Sequence, residues 1–272
     1  MFRPFFTRLV SCLLMFLFLA PLFLLAQDLK TIQLKDPDKK RGLPVMEALA
    51  VRASVTEWSE KELSLQDLSD LLWAANGLNR PESGKRTASS AMNAQDVDIY
   101  VFMKDGVYLY EAKSHCLLPV VAGDHRSECF PPRPPRPSQP GQPGQPTPPS
   151  PTREKETPAR PAKPTGQQPP NPLVPPPPSA MAPAQPQPPL PAPVILLLVS
   201  DISRFRAGSD ELKKEWAAID TGIVSQNISL FCAATGLGTR PRASMDREKI
   251  RSLLQLKDSQ LPLLNHPVGY KK

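Results

Sequence analysis

The spacing of apolar residues predicts four helices in this 272-residue chain. Residues 63–75 place apolar side chains at positions 65, 68, 71, 72 and 75, which form one face of an amphipathic helix, and Gly77 is suited to ending it. Residues 46–51 begin a shorter helix ahead of it. Residues 209–235 are predicted to form a third helix, polar in its first half and apolar in its second, and residues 246–256 a fourth.

Other segments carry the pattern of strands. Residues 98–103 and 107–110 are rich in β-branched and aromatic side chains, and the Asp105-Gly106 turn between them predicts a hairpin. Residues 194–200 are continuously apolar, which indicates a strand buried on both faces, and residues 261–270 are predicted as a strand and tail. The mixed order of helices and strands predicts an α+β fold. Two segments are predicted to be irregular: an extended polar arm over 27–45 and a loop over 79–84.

One long block lacks any periodic pattern. Residues 131–194 hold 27 of the 36 prolines, with repeated Gly-Gln-Pro units and a tetraproline at 175–178. Such a composition cannot bury a core, and it predicts a disordered insertion of polyproline-II character. A flexible spacer and a partner-binding segment that uses Pro-x-x-Pro motifs are both open interpretations.

The N-terminus has the layout of an export signal. Arg3 and Arg8 precede an almost continuously apolar stretch, residues 9–26. Cleavage after this leader would give a periplasmic or extracellular protein, whereas an uncleaved leader would anchor it in a membrane, since its length is at the lower limit for a span. The chain therefore divides into four parts: a signal peptide 1–26, a first domain part 27–130, the insertion 131–194, and a second domain part 195–272.

Charge and cysteine content exclude several classes of function. The net charge of +7 is concentrated in the leader and in the insertion, and the rest is nearly balanced, so nucleic-acid binding is not predicted. Three cysteines would remain after cleavage, an odd number that is not a disulfide framework. Cys116 and Cys129 are a possible pair in an oxidising compartment, and Cys232 is predicted to be a buried thiol. The three histidines lack the spacing of metal ligands.

The first motif with chemical meaning lies at residues 47–58, Glu-Ala-Leu-Ala-Val-Arg-Ala-Ser-Val-Thr-Glu-Trp. It resembles the opening of the nitroreductase family, Arg-Arg-Ser-x-Arg-x-Phe, in which the first Arg, the Ser and the second Arg hold the phosphate and ribityl chain of FMN. The resemblance implies that Arg52, Ser54 and Thr56 lie at the cofactor-binding positions. Thr56 stands where the family has its second basic residue. The planar guanidinium of Arg suits phosphate because it donates two parallel hydrogen bonds.

A second motif at residues 86–95 reads Arg-Thr-Ala-Ser-Ser-Ala-Met-Asn-Ala-Gln. It is similar to the family segment Arg-x-Ala-Pro-Ser-Ala-x-Asn-x-Gln, which lies beside the isoalloxazine ring, although Ser89 replaces the proline. The resemblance implies that Ser90, Met92 and Asn93 contact the flavin. An amide side chain can pair with donors and acceptors on the flavin edge.

Two further motifs lie in the second domain part. Gly222, Gln226-Asn227 and the Gly-Leu-Gly at 236–238 resemble the helix at the family's dimer interface, and the segment after it passes over the flavin in the family. The C-terminal Pro-Val-Gly-Tyr at 267–270 resembles the family's Pro-x-Gly-Tyr-Pro, which precedes a basic phosphate contact. The cofactor-binding residues implied by these two motifs are Pro241, Arg242, Ala243, Ser244 and Lys271.

The four motifs together imply an FMN-dependent oxidoreductase with a mixed sheet flanked by helices. Such an enzyme passes a hydride or electrons from NAD(P)H or another donor to a nitro compound, quinone or similar acceptor, and it acts as a homodimer. The runs at 71–77 and 106–110 further resemble the short branch related to thiazoline/oxazoline dehydrogenases. The alternative is a catalytically weak nitroreductase-like binding protein of the cell envelope, whose Pro-rich segment contacts a partner or cell wall. No catalytic acid, base or metal ligand is predicted.

Overall fold

The computed structural model describes residues 29–131 and 192–272. The predicted signal peptide 1–26 and all but the ends of the predicted insertion 131–194 lie outside these described residues. Within the described ranges, none of the helices combines the length and the apolar character that crossing a bilayer requires.

Seven strands form the main sheet and two more form a small hairpin. The main sheet has the order β1-β6-β5-β4-β7-β9-β8. The strands are β1 (Ile32–Gln33), β2 (Leu78–Arg80), β3 (Lys85–Arg86), β4 (Val97–Phe102), β5 (Gly106–Glu111), β6 (Cys116–Ala122), β7 (Val194–Asp201), β8 (Leu237–Thr239) and β9 (Gln260–Tyr270).

Four α-helices accompany the sheet, and short 3₁₀ turns connect several elements. The helices are α1 (Val45–Val51), α2 (Leu65–Asn76), α3 (Asp210–Ala234) and α4 (Arg247–Leu254). Ser64 caps the start of α2 by accepting the Asp67 backbone N–H, and the Gly77 N–H closes its end on the Trp73 carbonyl, as the sequence predicts. These elements confirm an α+β fold.

The interior strand β7 is apolar from Val194 to Val199 because both faces of the sheet are covered. Leu196 and Leu198 point to a core shared with α2 and α3, which contribute residues such as Leu72 and Ile228. The alternate side chains, such as Leu197, belong to a second core with α4. Each set is excluded from water, so the strand shows no polar alternation.

The sheet differs from the predicted mixed arrangement, since all of its strand pairings are antiparallel among the described residues. Strands β4, β5 and β6 follow one another through tight turns, which only antiparallel strands allow. Strand β7 returns beside β4 in the opposite direction, with Val97 opposite Ser200 and Phe102 opposite Ile195. A parallel contact occurs only as an isolated bridge, between Ser54 and Thr239.

Local predictions are confirmed for the helices, the β4–β5 hairpin and strands β7 and β9, with three corrections. Residues 79–84 are not simply a loop: they belong to the β2–β3 hairpin, which turns at Gly84 in the left-handed region. Val194, assigned to the insertion, is the first residue of β7. Cys116 and Cys129 are buried and unpaired instead of forming a disulfide, and Cys232 is a buried thiol as predicted.

The predicted extended arm is confirmed as largely irregular chain that lies along α2. The Arg41 guanidinium contacts Asp67 and Asp70 of this helix at 2.7 Å each. The backbone N–H of Asp38 also donates to the Asp70 carboxylate at 2.8 Å. Because Asp70 is buried, these contacts supply the partners that a buried carboxylate needs. These contacts fix the arm along α2 up to the point where α1 begins.

Candidate functional site

Three chain segments that are distant in sequence meet at the β8–β9 end of the sheet. Isolated backbone bridges join Ser54 to Thr239, Trp58 to Lys271, and Arg242 to Asn265. The Val55 N–H donates to the Thr239 carbonyl at 3.0 Å, which continues the first bridge. The predicted phosphate-binding motif, the predicted ring-covering segment and the predicted C-terminal contact are therefore neighbours, and we call them the β8-end cluster.

Close packing at Gly238 makes the first of these contacts possible. A Cβ atom added to Gly238 would lie 2.9 Å from Cγ1 of Val55, closer than real Cβ atoms approach one another. The indole N–H of Trp58 also donates to the Gly238 carbonyl at 3.0 Å. The glycine is thus required here for its lack of a side chain, because residues 54–58 lie directly against β8.

Several cations of the β8-end cluster have no carboxylate partner among the described residues. Within the part of the chain that the structure describes, no ion pair involves Arg52, Arg240, Arg242 or Lys271, whereas Arg41, Arg126 and Arg204 all have carboxylate partners. Burial and the nearby charge of Arg240 lower the pKa of Arg242. An anion in this cluster would relieve that repulsion.

The segment 241–244 is held between β9 and an aromatic ring. The Arg242 N–H donates to the Asn265 carbonyl at 2.9 Å, and the Asn265 N–H donates back at 2.8 Å. The Arg242 guanidinium lies 4.6 Å from the centroid of the Phe130 ring, a cation–π contact. Pro241, Ala243 and Ser244 are exposed, so their backbone is accessible to a ligand.

The loop of residues 88–95 carries the other predicted flavin contacts. Met92, Asn93 and Gln95 all have positive φ values near 50°, a conformation that non-glycine residues adopt rarely. The Ser90 hydroxyl accepts the Gln95 N–H at 2.9 Å, which closes the loop on itself. Met92 and Asn93 are exposed at its tip. We call this segment the 88–95 loop.

Two buried carboxyl groups lie beneath this loop. Asp220 of α3 accepts the backbone N–H of Ala91 at 2.8 Å. Asp96, which follows the loop, accepts the Ser200 hydroxyl and lies within hydrogen-bonding reach of Asp220. Burial raises the pKa of Asp96 to about 7, the Ser200 hydrogen bond opposes this rise, and the contact with Asp220 adds to it. The pair can therefore hold a proton near neutral pH.

The structure does not bring the 88–95 loop and the β8-end cluster together within one chain. The loop contacts α3 at Asp220, and the cluster lies beyond Ala234, the last residue of that helix. The intervening helix spans roughly 20 Å at ~1.5 Å per residue. No hydrogen bond among the described residues joins the two groups. A ligand that contacts both the loop and the cluster must therefore span this distance, or the loop and the cluster that bind it must come from two different chains.

A cavity of about 690 Å³ lies next to the β8-end cluster and meets it at Trp58. It is bordered by residues such as Trp58, Leu63, Met103, Arg126 and Val194. None of the predicted cofactor-binding residues lines it, so it does not correspond to the predicted flavin site.

Comparison with known proteins decides the family. The model of the nitroreductase family matches residues 49–270, most of the chain. The chain belongs to the nitroreductase family. It is thereby an oxidoreductase of the nitroreductase type, and the resemblance found in its motifs is confirmed.

Individual relatives agree with this assignment. A protein of Methanocaldococcus jannaschii named as a candidate nitroreductase is 24% identical over 250 residues, which cover 90% of this chain and 98% of the relative. The crystal structure of a candidate nitroreductase from Ralstonia eutropha JMP134 has a TM-score of 0.65 and 26% identity, with 90% of each chain covered. A chain of the Escherichia coli microcin synthetase McbBCD complex, with truncated pro-MccB17 bound, has a TM-score of 0.53 at 14% identity, covering 93% of this chain and 83% of that one. The last likeness concerns the fold alone.

Sequence reasoning found the residues that a family motif marks and missed those that support them. Asp96 and Asp220 were not predicted as part of the site, because nothing in the sequence shows that folding buries them beside each other. Gly238 was noted only within its Gly-Leu-Gly motif. Arg240 was missed because no family motif marks it, although it lies only two residues before Arg242, whose pKa its charge lowers.

Proposed function

We propose that this nitroreductase-family protein is an FMN-dependent oxidoreductase. In this proposal it passes a hydride or electrons from NAD(P)H or another donor to a small organic acceptor, such as a nitro compound or a quinone. The observation that carries the proposal is the β8-end cluster, in which backbone bridges make neighbours of the segment that holds Arg52 and Ser54, the segment that holds Arg242, and the end of β9 at Lys271. These are four of the residues that the motifs mark for FMN.

The chemistry of the β8-end cluster fits the phosphate end of FMN. Phosphate is dianionic or nearly so, and it is bound in proteins by Arg, hydroxyl groups and backbone N–H donors. Arg52, Ser54 and Thr56 are exposed, and Arg240 and Arg242 follow Thr239, the residue of β8 that pairs with Ser54. Lys271 supplies a further cation at the end of β9. The loss of a basic residue at position 56 is thus offset by cations from other segments.

The 88–95 loop fits the ring end. Its left-handed residues push the Met92 side chain and the Asn93 amide outward, where an apolar surface and a hydrogen-bonding group are offered side by side. An aromatic ring with polar edges needs both kinds of contact. Bound FMN would supply the redox chemistry, and the chain supplies orientation, charge and exclusion of water. We assign no side chain the role of catalytic acid or base.

We further propose that the site is completed by a second copy of the chain. The phosphate-type and ring-type residues lie apart in one chain, and a homodimer can bring the loop of one subunit to the cluster of the other. Helix α1 offers a surface for this association, because Val45, Met46 and Leu49 are exposed while only Ala48 is buried in it. Met46 is 73% exposed, which is unusual for so large an apolar side chain on a monomer surface.

The proposed activity is tested by turnover. Purified protein loaded with FMN is mixed anaerobically with NADH or NADPH, and the loss of flavin absorbance is followed before and after a nitroaromatic compound or a quinone is added. Bleaching by the donor and recovery with the acceptor are expected. A protein that binds FMN and is bleached by dithionite but by neither nicotinamide would retain the cofactor proposal and overturn the nicotinamide donor.

A further inference from the structure

The 88–95 loop is held in a conformation that its own sequence does not favour. Three non-glycine residues in a row of four, Met92, Asn93 and Gln95, have positive φ values. Each such residue costs free energy, and it persists only when surrounding contacts determine it. The contacts that determine this loop therefore decide whether Met92 and Asn93 are presented outward.

The loop is tied to the rest of the molecule at its C-terminal end and in its middle. At its C-terminal end, the Arg204 guanidinium donates to the Gln95 carbonyl at 2.8 Å and pairs with Asp98. In the middle of the loop, the Ala91 N–H donates to the carboxylate of Asp220, a side chain from outside the loop, at 2.8 Å. Asp220 is 3% exposed and lies on α3, a long rigid helix.

Asp220 is itself fixed by Asp96. Asp96 is fully buried, its Oδ2 accepts the Ser200 hydroxyl, and its Oδ1 is reached by no donor among the described residues. A proton shared between the two carboxyl groups supplies the missing hydrogen bond and avoids two adjacent buried charges. The small cavity between them, about 10 Å³, has room for about one water molecule.

The charged groups around the pair are few. Among the residues that line the cavity, Asp96 and Asp220 are the titratable ones, and the others are polar or apolar residues from α2, the 88–95 loop, β4 and α3. From the turn after β7, Arg204 is close enough for its charge to interact with that of Asp96, while its hydrogen bonds go to Asp98 and Gln95. The pair is therefore not neutralised by a dedicated cation.

We propose that Asp220 is a positioning residue, which accepts the Ala91 N–H and shares a proton with Asp96 to fix the 88–95 loop so that it presents Met92 and Asn93 to the flavin ring. The flavin part of this statement rests on the proposed function. The part about the loop does not, because it concerns contacts within one chain. Asp220 does not touch the cofactor in this account and acts through the loop.

The test compares two substitutions of the same residue. Asp220→Asn keeps an oxygen acceptor for the Ala91 N–H, and its amide can donate to Asp96, whereas Asp220→Ala removes the acceptor. Val224→Ala is the matched control, since Val224 lines the same cavity one turn along α3 but makes no polar contact with the loop. Hydrogen–deuterium exchange of the loop peptide and the Kd for FMN are measured for the parent and all three variants.

In Asp220→Ala, exchange of the loop peptide should rise and FMN binding should weaken, each roughly tenfold or more, as expected for the loss of a hydrogen bond to a charged group. Asp220→Asn and Val224→Ala should each stay within about threefold of the parent, although Val224→Ala loses packing. A general structural role would instead make Val224→Ala and Asp220→Ala alike.

The outcomes separate this proposal from the proposed function. If the parent binds no FMN, the cofactor proposal fails, and the exchange measurement still decides whether Asp220 fixes the loop. If the parent binds FMN and Asp220→Ala changes neither loop exchange nor the Kd, the positioning role is overturned. Faster loop exchange with an unchanged Kd would retain the loop contact and overturn its link to the flavin.

Discussion

At the scale of single residues, Asp96 shows how burial changes the meaning of an ordinary side chain. In the sequence it is one acid between Gln95 and Val97, with nothing to distinguish it from the exposed acids nearby. Folding places it out of contact with water beside Asp220, which raises its pKa to about 7. Sequence reasoning could not find this, because one residue of the pair lies just before β4 and the other on a distant helix.

The shifted pKa gives a pH dependence of stability. The folded protein holds a proton on Asp96 between about pH 4 and pH 7 that the unfolded chain has released, so this group's contribution to stability is greatest at low pH and is lost as the pH rises through about 7. Asp96→Asn should remove that loss, since its side chain does not ionise. The variant should therefore gain about 2–3 kcal/mol relative to the parent between pH 5 and pH 8.

Urea unfolding of both proteins at the two pH values checks this. The difference between variant and parent cancels the effects of other groups, such as the buried His266, whose pKa burial lowers to about 3. A difference that is the same at pH 5 and pH 8 would show that Asp96 is ionised in the fold throughout.

At the scale of elements, the strand β6 explains one limit of the sequence analysis. Its run Cys-Leu-Leu-Pro-Val-Val-Ala was not predicted as a strand, and Pro119 interrupts it. Proline lacks the N–H of a sheet ladder, so it is tolerated where one side of a strand is free. Among the described residues, β1 pairs only with Cys116 and Leu117, so Pro119 has a neighbouring strand only on the β5 side. The β4–β5 hairpin, in contrast, was predicted correctly from its Asp-Gly turn.

The contact of β8 with residues 54–58 gives a prediction at the same scale. Gly238→Ala should push the segment away from β8, because its new Cβ would lie 2.9 Å from Val55. The cost should be about 1–3 kcal/mol of stability, with weaker FMN binding because Arg52 and Ser54 move. The double variant Gly238→Ala with Val55→Ala provides the space and should recover much of both losses.

The parent, the two single variants and the double variant form a double-mutant cycle, and each is measured by thermal unfolding and FMN titration. The structure predicts a coupling between the two positions, since they touch. Strictly additive effects would mean that residues 54–58 do not pack on Gly238.

At the scale of the whole molecule, helix α1 and the division of the site both favour two chains. Met46→Asp places a charge in the middle of the exposed apolar surface and should convert dimers to monomers, with loss of FMN binding, because desolvating an unpaired charge is costly. Val120→Asp on β6 is the matched control, since Val120 is an exposed apolar residue away from α1.

Light scattering at micromolar concentration measures the association state of the parent and both variants. A dimeric parent, a monomeric Met46→Asp and a dimeric Val120→Asp are expected. A monomeric parent that still binds FMN would contradict the shared site.

The fold and the family were accessible from the sequence, because helix spacing, one hairpin turn and four motifs in order all point the same way. The arrangement of the site was not, because the motifs give residue types without their distances. The convergence of 52–58, 237–244 and 265–271 depends on three backbone bridges, and two of them, Ser54 with Thr239 and Trp58 with Lys271, join residues very distant in sequence. The separation of the 88–95 loop from them depends on the length of α3.

The central claim is that the β8-end cluster binds FMN, and the absorption spectrum of the purified protein titrated with FMN tests it most directly. A shifted flavin spectrum that saturates at about one FMN per chain is expected for the parent and for Arg206→Ala, which removes an exposed arginine elsewhere. Arg52→Ala should weaken binding roughly tenfold or more, the effect of losing a charged hydrogen bond to phosphate. A parent protein that leaves the spectrum of added FMN unchanged would contradict the account.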